Sequence, residues 1–337
     1  MKFHSIQHGS WNLARLREIL FAGSGKKVLV IGDVGVDRYT VGSVNRISPE
    51  APVPVVFVEQ EKLKLGLAAN VADNIKALNG IPLLVGIVGQ DRNADDFRKL
   101  LSACSISSGH LVVDHERRTV LKERIVSERQ QLLRVDYESP SKINKKTESR
   151  ILARVRKLIR NVDAVILEDY AKGTLTDKVF SFIFNECRKS KKIVVVDPNA
   201  RTPVKSYTGA GVLTPNTREA ERLSGIEIRD ESSLKNAGMS ILSSTAARHV
   251  VITRGKDGMA VFSAKNPLVR IIPTFAREVY DVSGAGDTVI SVLTMALVSG
   301  ATIEEAAILG NIAAGIEVGK RGTATVSPAE ILSAVVQ

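Results

Sequence analysis

The chain has 337 residues, 44% of them hydrophobic and 25% charged, with a formal net charge of +11. That length buries a sizeable core as one large or two small domains, and no apolar run of about 18 residues is present to span a membrane. Aromatic residues make up only 4% and no nucleic-acid motif occurs, so the positive charge reads as solvated helix faces plus a field that attracts polyanionic substrates, with no nucleic-acid partner.

In chain order, Trp11 to Phe21 reads as an amphipathic helix carrying Arg15, Arg17 and Glu18, without the apolar core of a signal peptide. Lys27 to Gly32 is a first strand, Ala68 to Leu78 a helix, Leu83 to Val88 a strand and Ala94 to Ala103 a helix. Glu148 to Arg160 and Lys178 to Lys189 read as helices, each followed by a strand, Ala164 to Leu167 and Ile193 to Val196. A short strand near Val212, helices Thr217 to Leu223 and Ser232 to Ser243, and strands His249 to Thr253 and Gly258 to Phe262 come next. Helices Gly286 to Ser299, Ile303 to Val318 and Pro328 to Val335 close the chain. This alternation predicts an α/β fold, a doubly wound, mostly parallel sheet covered on both faces, in one domain spanning 1–337.

Two stretches break the rhythm. Tyr39 to Gln60 and Arg117 to Asp136 alternate apolar and polar residues and read as antiparallel strand pairs inserted between core units. Cys104 and Cys187 lie far apart without metal-ligand spacing, which reads as buried free thiols in a reducing, cytoplasmic setting.

The segment Asp281-Val282-Ser283-Gly284-Ala285-Gly286-Asp287 carries the most chemistry. Small residues let a backbone approach a ligand, and a helix start offers unpaired N–H groups to an anion. Asp287 then stands beside the bound anion, placed to accept a proton, which points to phosphoryl transfer to a hydroxyl; a tight turn before a helix explains the same residues. Asn216 and Glu219 share the first turn of a helix and fit either a cation-ordering pair or a capping box. Thr253-Arg254-Gly255-Lys256-Asp257-Gly258 is a turn after a strand. Asp33 and Asp37 follow the first strand, where open parallel sheets bind ligands; Asp33 serves equally well to orient a loop. Gly23-Ser24-Gly25-Lys26-Lys27 is no P-loop, because it lacks the first glycine and precedes its strand.

The Gly-Ala-Gly-Asp element resembles that of the PfkB, or ribokinase-like, carbohydrate kinases. Arg46-Ile47-Ser48-Pro49-Glu50-Ala51-Pro52-Val53-Pro54-Val55 and Gln130-Gln131-Leu132-Leu133-Arg134-Val135-Asp136 are similar to blocks of its heptose 7-phosphate kinases, as are Gly32 to Tyr39, Gly66 to Ala72 and Gly322 to Ser327. The resemblance implies a ribokinase-like fold whose two inserted strand pairs form a lid over the sugar. It implies Asp287 as general base, with Gly284, Ala285 and Gly286 as the anion hole. Asn216 and Glu219 would order Mg²⁺ and the phosphates, largely through water. Thr253, Gly255 and Gly258 would line the nucleotide, and Asn311 would lie near the adenine. Asp37, with Asp33, Gly66 and Asn70, would hold the sugar, and Lys122, Arg124 and Arg134 on the lid would meet a phosphate already on it. Glu168-Asp169-Tyr170-Ala171-Lys172-Gly173 resembles a further substrate-side loop.

By the same resemblance the substrates are ATP and D-glycero-D-manno-heptose 7-phosphate, the product serves lipopolysaccharide-core synthesis, a monovalent cation such as K⁺ enters the site, and the chain is a homodimer. The chain stops at Gln337, which reads as a stand-alone kinase or an excised kinase domain. Leu67, Gly35 and Ser127-Glu128-Arg129 depart from the heptose kinase pattern. They keep open a kinase for another sugar or sugar phosphate, and, in a different class, a non-catalytic sugar-phosphate-binding regulator.

Overall fold

The computed structural model describes residues 3–5, 12–127, 130–139, 141–276, 278–320 and 322–336. Its elements begin with β1 (Phe3–Ser5), α1 (Leu13–Ala22), β2 (Lys27–Gly32), β3 (Val34–Ile47), β4 (Pro54–Leu67), α2 (Ala68–Ala77), β5 (Ile81–Val85), β6 (Ile87–Val88), α3 (Arg92–Ala103) and β7 (Val112–Val113). Next come β8 (Val120–Ser127), β9 (Gln130–Tyr137), α4 (Lys145–Leu158), β10 (Ala164–Glu168), α5 (Asp177–Lys189), β11 (Ile193–Asp197), β12 (Val212–Leu213), α6 (Thr217–Ser224) and α7 (Glu231–Thr245). The last are β13 (His249–Thr253), β14 (Met259–Ser263), β15 (Asn266–Ile272), α8 (Ala285–Val298), α9 (Ile303–Glu317) and α10 (Pro328–Val336). Trp11, Glu128 and Arg129 lie outside the described residues.

Among the described residues the main sheet has nine strands in the order β1-β15-β14-β13-β12-β11-β10-β2-β5, parallel except around β14. Strands β2 and β10 are apolar along their length because both faces are covered. Successive side chains point to opposite layers. Val28, Val30 and Ile166 pack in the core under α2, α8 and α9, while Leu29, Ile31, Val165 and Leu167 pack in the core under α4, α5 and α7. The helices start where side chains cap them: Asp91, Asn144 and Thr176 each accept the N–H three residues on, and Thr302 forms a capping box with Glu305.

The predicted elements are present with shifted ends, and four differences stand out. The strand expected over Leu83 to Val88 is broken at Gly86, where any side chain would meet Val34 Cγ1 at 2.4 Å, so β6 leaves the main sheet and pairs with β7. Strands β1 and β15 extend the sheet edge and were not anticipated from the sequence. The first inserted strand pair, 34–67, is longer than expected, while the second, 120–137, lies close to its expected range. They join as a second sheet in the order β4-β3-β8-β9, antiparallel within each pair and parallel between β3 and β8. Gly35 follows from that join: a Cβ there would lie 2.6 Å from the Val120 carbonyl oxygen on β8. Among the described residues no helix is long and apolar enough to cross a membrane.

Candidate active site

The chain leaves β2 in one direction to build β5 and in the other to build β10 through β13, so the strand order reverses between β2 and β10. Parallel sheets open a crevice at that point, beyond the strand ends. Asp33 follows β2, Glu168 ends β10 and Asp197 ends β11, while Asn216, which follows β12, is bridged to Thr253, which ends β13. The second sheet stands over this crevice, since β3 follows β2 through Asp33 alone and β4 leads directly into α2.

Asp287 lies in the first turn of α8 and is buried. Both its oxygens are engaged: Asn70 Nδ2 donates to Oδ2 at 2.6 Å, and the Tyr170 hydroxyl donates to Oδ1 at 2.9 Å. Burial pushes this carboxyl up to about 6, against the pull of those two hydrogen bonds. Asn70, expected on the sugar, therefore holds the carboxylate; its position on α2, packed against α8, makes that contact the near one. Gly284 precedes α8 at φ +100 with no side-chain cap, and a Cβ there would crowd Asn70 Nδ2 at 3.1 Å and Glu317 Oε1 at 3.2 Å. The first turn has no side-chain cap; the Ala285 N–H reaches back to the Val282 carbonyl at 3.4 Å, and the other first-turn N–H groups have no partner within the helix.

A cleft of about 400 Å³ opens beside this helix start. Thr253, Gly255, Gly258, Asn311, Ala285 and Gly286 all line it, while Gly284, Asn216 and Glu219 of the expected set do not. Its walls include Met259, Val279, Val282, Val289 and Val318, which suit a flat apolar base, and Lys256 supplies a cation. Asn311 is buried, and its amide donates to the Pro273 carbonyl at 2.7 Å. A larger cleft of about 870 Å³, with Arg188, Lys191, Lys192 and Arg248 on its wall, sits at the opposite ends of the strands, away from Asp287.

On the other side of Asp287 the register of the second sheet aligns the sugar-side candidates on one face. Asp37 stands opposite Lys122 and Lys64, and Arg124 opposite Tyr39 and Arg134. Arg124 donates to Asp37 Oδ1 at 2.6 Å, and a Cβ on Gly66 would lie 2.9 Å from Asp37 Oδ2, which is why glycine stands there. Lys122 is largely buried, and desolvation lowers its ammonium pKa. Arg134, half-exposed on the outermost strand, is held by Asp136 through two bonds of 2.9 and 3.0 Å. Asp33 spends its two oxygens on the backbone N–H groups of Lys172 and Thr174 at 2.8 and 3.1 Å. It orients the 168–174 loop, the second of the two roles its position allowed. Leu67 adopts φ +58, a conformation that favours glycine, so the departure at this position carries backbone strain.

Two further carboxylates complete the site: Glu168, expected only as part of a substrate-side loop, and Asp197, to which the sequence assigned no role. Glu168, Asp197 and Asp287 each offer an oxygen within 4.8 Å of the others. Neither oxygen of Glu168 has a hydrogen-bond partner, although the residue is fully buried. Burial, then the neighbouring carboxylates, raise the Glu168 and Asp197 pKa values. Buried, uncompensated like charges of this kind fit a divalent cation, and an all-oxygen donor set suits Mg²⁺. Glu219 lies close enough to raise both of them, while its Oε2 accepts the Asn216 N–H at 2.8 Å and Asn216 Oδ1 accepts the Glu219 N–H at 3.0 Å. The capping box is thus formed, and the Glu219 carboxylate still faces the cluster. A carboxylate ending a buried strand, as in Asp197-Pro198, was the signal available for these residues.

Glu317 is a second buried carboxylate with both oxygens unpartnered, and burial pushes it up to about 8. Thr323 Oγ1 and Tyr39 OH, also without partners, lie in the same region, where Lys64 Nζ reaches the Thr323 carbonyl. A monovalent cation fits such a group of orphaned oxygens behind the anion hole.

Comparison with known proteins agrees with this geometry. The sequence profile described as pfkB family carbohydrate kinase matches residues 26–330. "Bifunctional protein HldE" of Geobacter sulfurreducens is 43% identical over 319 residues, covering 94% of this chain and 65% of that protein. The protein of the same name from Helicobacter hepaticus is 42% identical over 306 residues, covering 91% and 63%. The chain spans less than two thirds of the length of these relatives. A putative ribokinase from Agrobacterium tumefaciens superposes with a TM-score of 0.74 at 21% identity, covering 93% of this chain and 98% of the other. Escherichia coli phosphofructokinase-2 in complex with substrates and products gives 0.75 at 17%, with the same coverage.

Proposed function

The chain belongs to the pfkB family of carbohydrate kinases, and we propose that it transfers the γ-phosphoryl group of ATP to the anomeric hydroxyl of D-glycero-D-manno-heptose 7-phosphate, giving the 1,7-bisphosphate for ADP-heptose and lipopolysaccharide-core synthesis. The observation that carries this reading is the position of Asp287. It stands between an apolar, glycine-edged cleft on one side and a cationic sheet face on the other. A nucleotide in the first and a sugar phosphate under the second would meet at that carboxylate.

In this reading Asp287 takes the proton of the acceptor hydroxyl, and the first-turn N–H groups of Gly284, Ala285 and Gly286 hold the charge on the phosphoryl group in flight. Mg²⁺, when bound, neutralises phosphate charge; Glu168, Asp197 and Glu219 are the residues that hold it, the last through water. Asp37 orients the sugar, and Lys122 and Arg124 meet its phosphate. Glu317 and Thr323 hold a monovalent cation that supports the anion hole. The second sheet exposes Ile47, Val53, Phe57, Val58 and Leu133, each 47–61% accessible, which suits a homodimer formed through the lid.

The test is ADP release over a panel of sugars and sugar phosphates. Heptose 7-phosphate is expected to give the highest kcat/KM. A different preferred sugar overturns the substrate, and no turnover with any of them favours the regulatory alternative.

A further inference from the structure

We propose that Tyr170 is a positioning residue for phosphoryl transfer: its hydroxyl fixes the Asp287 carboxylate in the orientation from which it accepts the acceptor proton. This rests on Asp287 being the base.

The segment that carries Tyr170 is tied down at almost every residue. Asp169 N–H donates to the Asp197 carbonyl at 3.1 Å, and Asp169 Oδ2 accepts the Tyr207 hydroxyl at 2.7 Å. Ala171 N–H donates to Asp169 Oδ1 at 2.9 Å. The Lys172 and Thr174 N–H groups close on Asp33, and the Lys172 carbonyl accepts from Arg117 Nη2 at 2.5 Å. Arg117 also reaches the Ser139 carbonyl at 2.6 Å, which locks the chain leaving β9 to the same loop.

These ties hold a strained conformation. Ala171 sits at φ +54, a left-handed conformation that favours glycine. Strain of this kind persists only where the surroundings over-determine it. Its result here is that the neighbouring side chain, Tyr170, spans from the loop to α8 and meets Oδ1 of Asp287 at 2.9 Å.

Asn70 alone would leave the carboxylate free to swing about one bond. With Asn70 on Oδ2 and Tyr170 on Oδ1, the plane of the group is fixed from two directions. Lys122 Nζ stands 5.4 Å from the centre of the Tyr170 ring, so a cation of the lid face bears on the same phenol. The phenol O–H is the donor of the bond to Oδ1.

The test is Tyr170→Phe in the full chain, which keeps the ring and removes the donor. A hydrogen bond to a charged group is worth about ten- to a hundredfold, so kcat is expected to fall by that factor. The KM values for ATP and for the sugar phosphate should change by less than about twofold, with an unchanged thermal midpoint. In an Asp287→Asn background the same substitution should have no further effect, because the group it positions no longer accepts a proton. Asp33→Asn, which loosens the loop from β2, should lower kcat in the parent and do nothing more in the Phe variant.

A Phe variant with parent kcat overturns the proposal. So does one whose only change is a raised sugar KM, or whose loss multiplies with that of Asp287→Asn. Parent turnover by Asp287→Asn alone would instead overturn the base on which the proposal rests.

Discussion

Glu168 and Asp197 stand in register at the ends of neighbouring strands β10 and β11, a fully buried carboxylate beside a half-buried one at the floor of the crevice. Glu168 accepts no hydrogen bond on either oxygen. An interior arrangement of this kind is costly unless something positive joins it. In the proposed reading, the pair is where the fold gives up stability in order to hold a cation against phosphates.

The first prediction concerns that pair. Both pKa values are raised, so the stability linked to them is full below the ordinary carboxylate range and is lost as pH rises through the folded-state values. The thermal midpoint should therefore fall toward alkaline pH and recover when Mg²⁺ is added. Glu168→Gln should flatten that slope and raise the midpoint above pH 7, while activity and its Mg²⁺ dependence drop. Glu219→Gln keeps a capping oxygen for Asn216, so it should stay folded and lose Mg²⁺-dependent rate. Calorimetry and Mg²⁺ titrations of the rate check both; an unchanged Mg²⁺ response in the Glu219 variant would leave Glu219 a helix cap alone.

Lys122 and Arg124 make the second. They lie on one face of β8, two residues apart, turned toward the crevice. Alanine at either should raise the KM for heptose 7-phosphate by about ten- to a hundredfold and spare that for ATP. Arg124→Ala also strips Asp37 of its partner, so its effect should be the larger. Arg134→Ala should do less, because Asp136 already neutralises it on the outer strand. Steady-state kinetics with each substrate varied in turn distinguishes these outcomes, and equal effects on both KM values would argue against a phosphate contact.

Much of this was legible in the sequence, and the gaps have physical reasons. Val28 to Ile31 and Ala164 to Leu167 announce buried parallel strands because both faces are covered. Gly86 is different. It stands where the chain leaves the main sheet, and the space a side chain would need there is filled by Val34, a contact that no local pattern displays. Thr253, Gly255, Gly286 and Asn311 lie far apart in the chain and line one cleft. Asn70 and Asp33 were placed in the right crevice, but a sequence does not tell whether a polar group faces a ligand or a neighbouring loop. Glu168 and Glu317 gain their meaning only from burial without partners, and Asp197 from standing beside Glu168, both properties of packing.

Glu317 supports the third prediction. Burial drives its pKa up to about 8, so its contribution to stability is present below the unfolded value and is lost as pH rises through about 8. A bound K⁺ would offset that loss. Adding K⁺ at pH 8.5 should raise the thermal midpoint of the parent and its rate, with Na⁺ less effective. Glu317→Gln should remove the dependence on both counts. A K⁺ response that survives in the Gln variant places the cation elsewhere.

The fourth prediction joins the base to its pH dependence. Burial holds Asp287 at about 6, between the pull of Asn70 and Tyr170 and the cost of desolvation. A base works only in its ionised form, so kcat should be level above that value and fall about tenfold per unit below it. Asp287→Asn keeps the size and both neighbours but cannot take a proton. It should lower kcat by about 10²–10⁴-fold, the usual contribution of a positioned base. Binding of ATP should be nearly unchanged, because removing a negative charge does no harm beside phosphates. The residual rate should also lose its acid limb, since the group that titrates there is gone. Rate–pH profiles of parent and variant, with ATP affinity measured separately, test all three features together; an Asn variant with the parent's rate and profile would leave Asp287 as no more than the opening residue of α8.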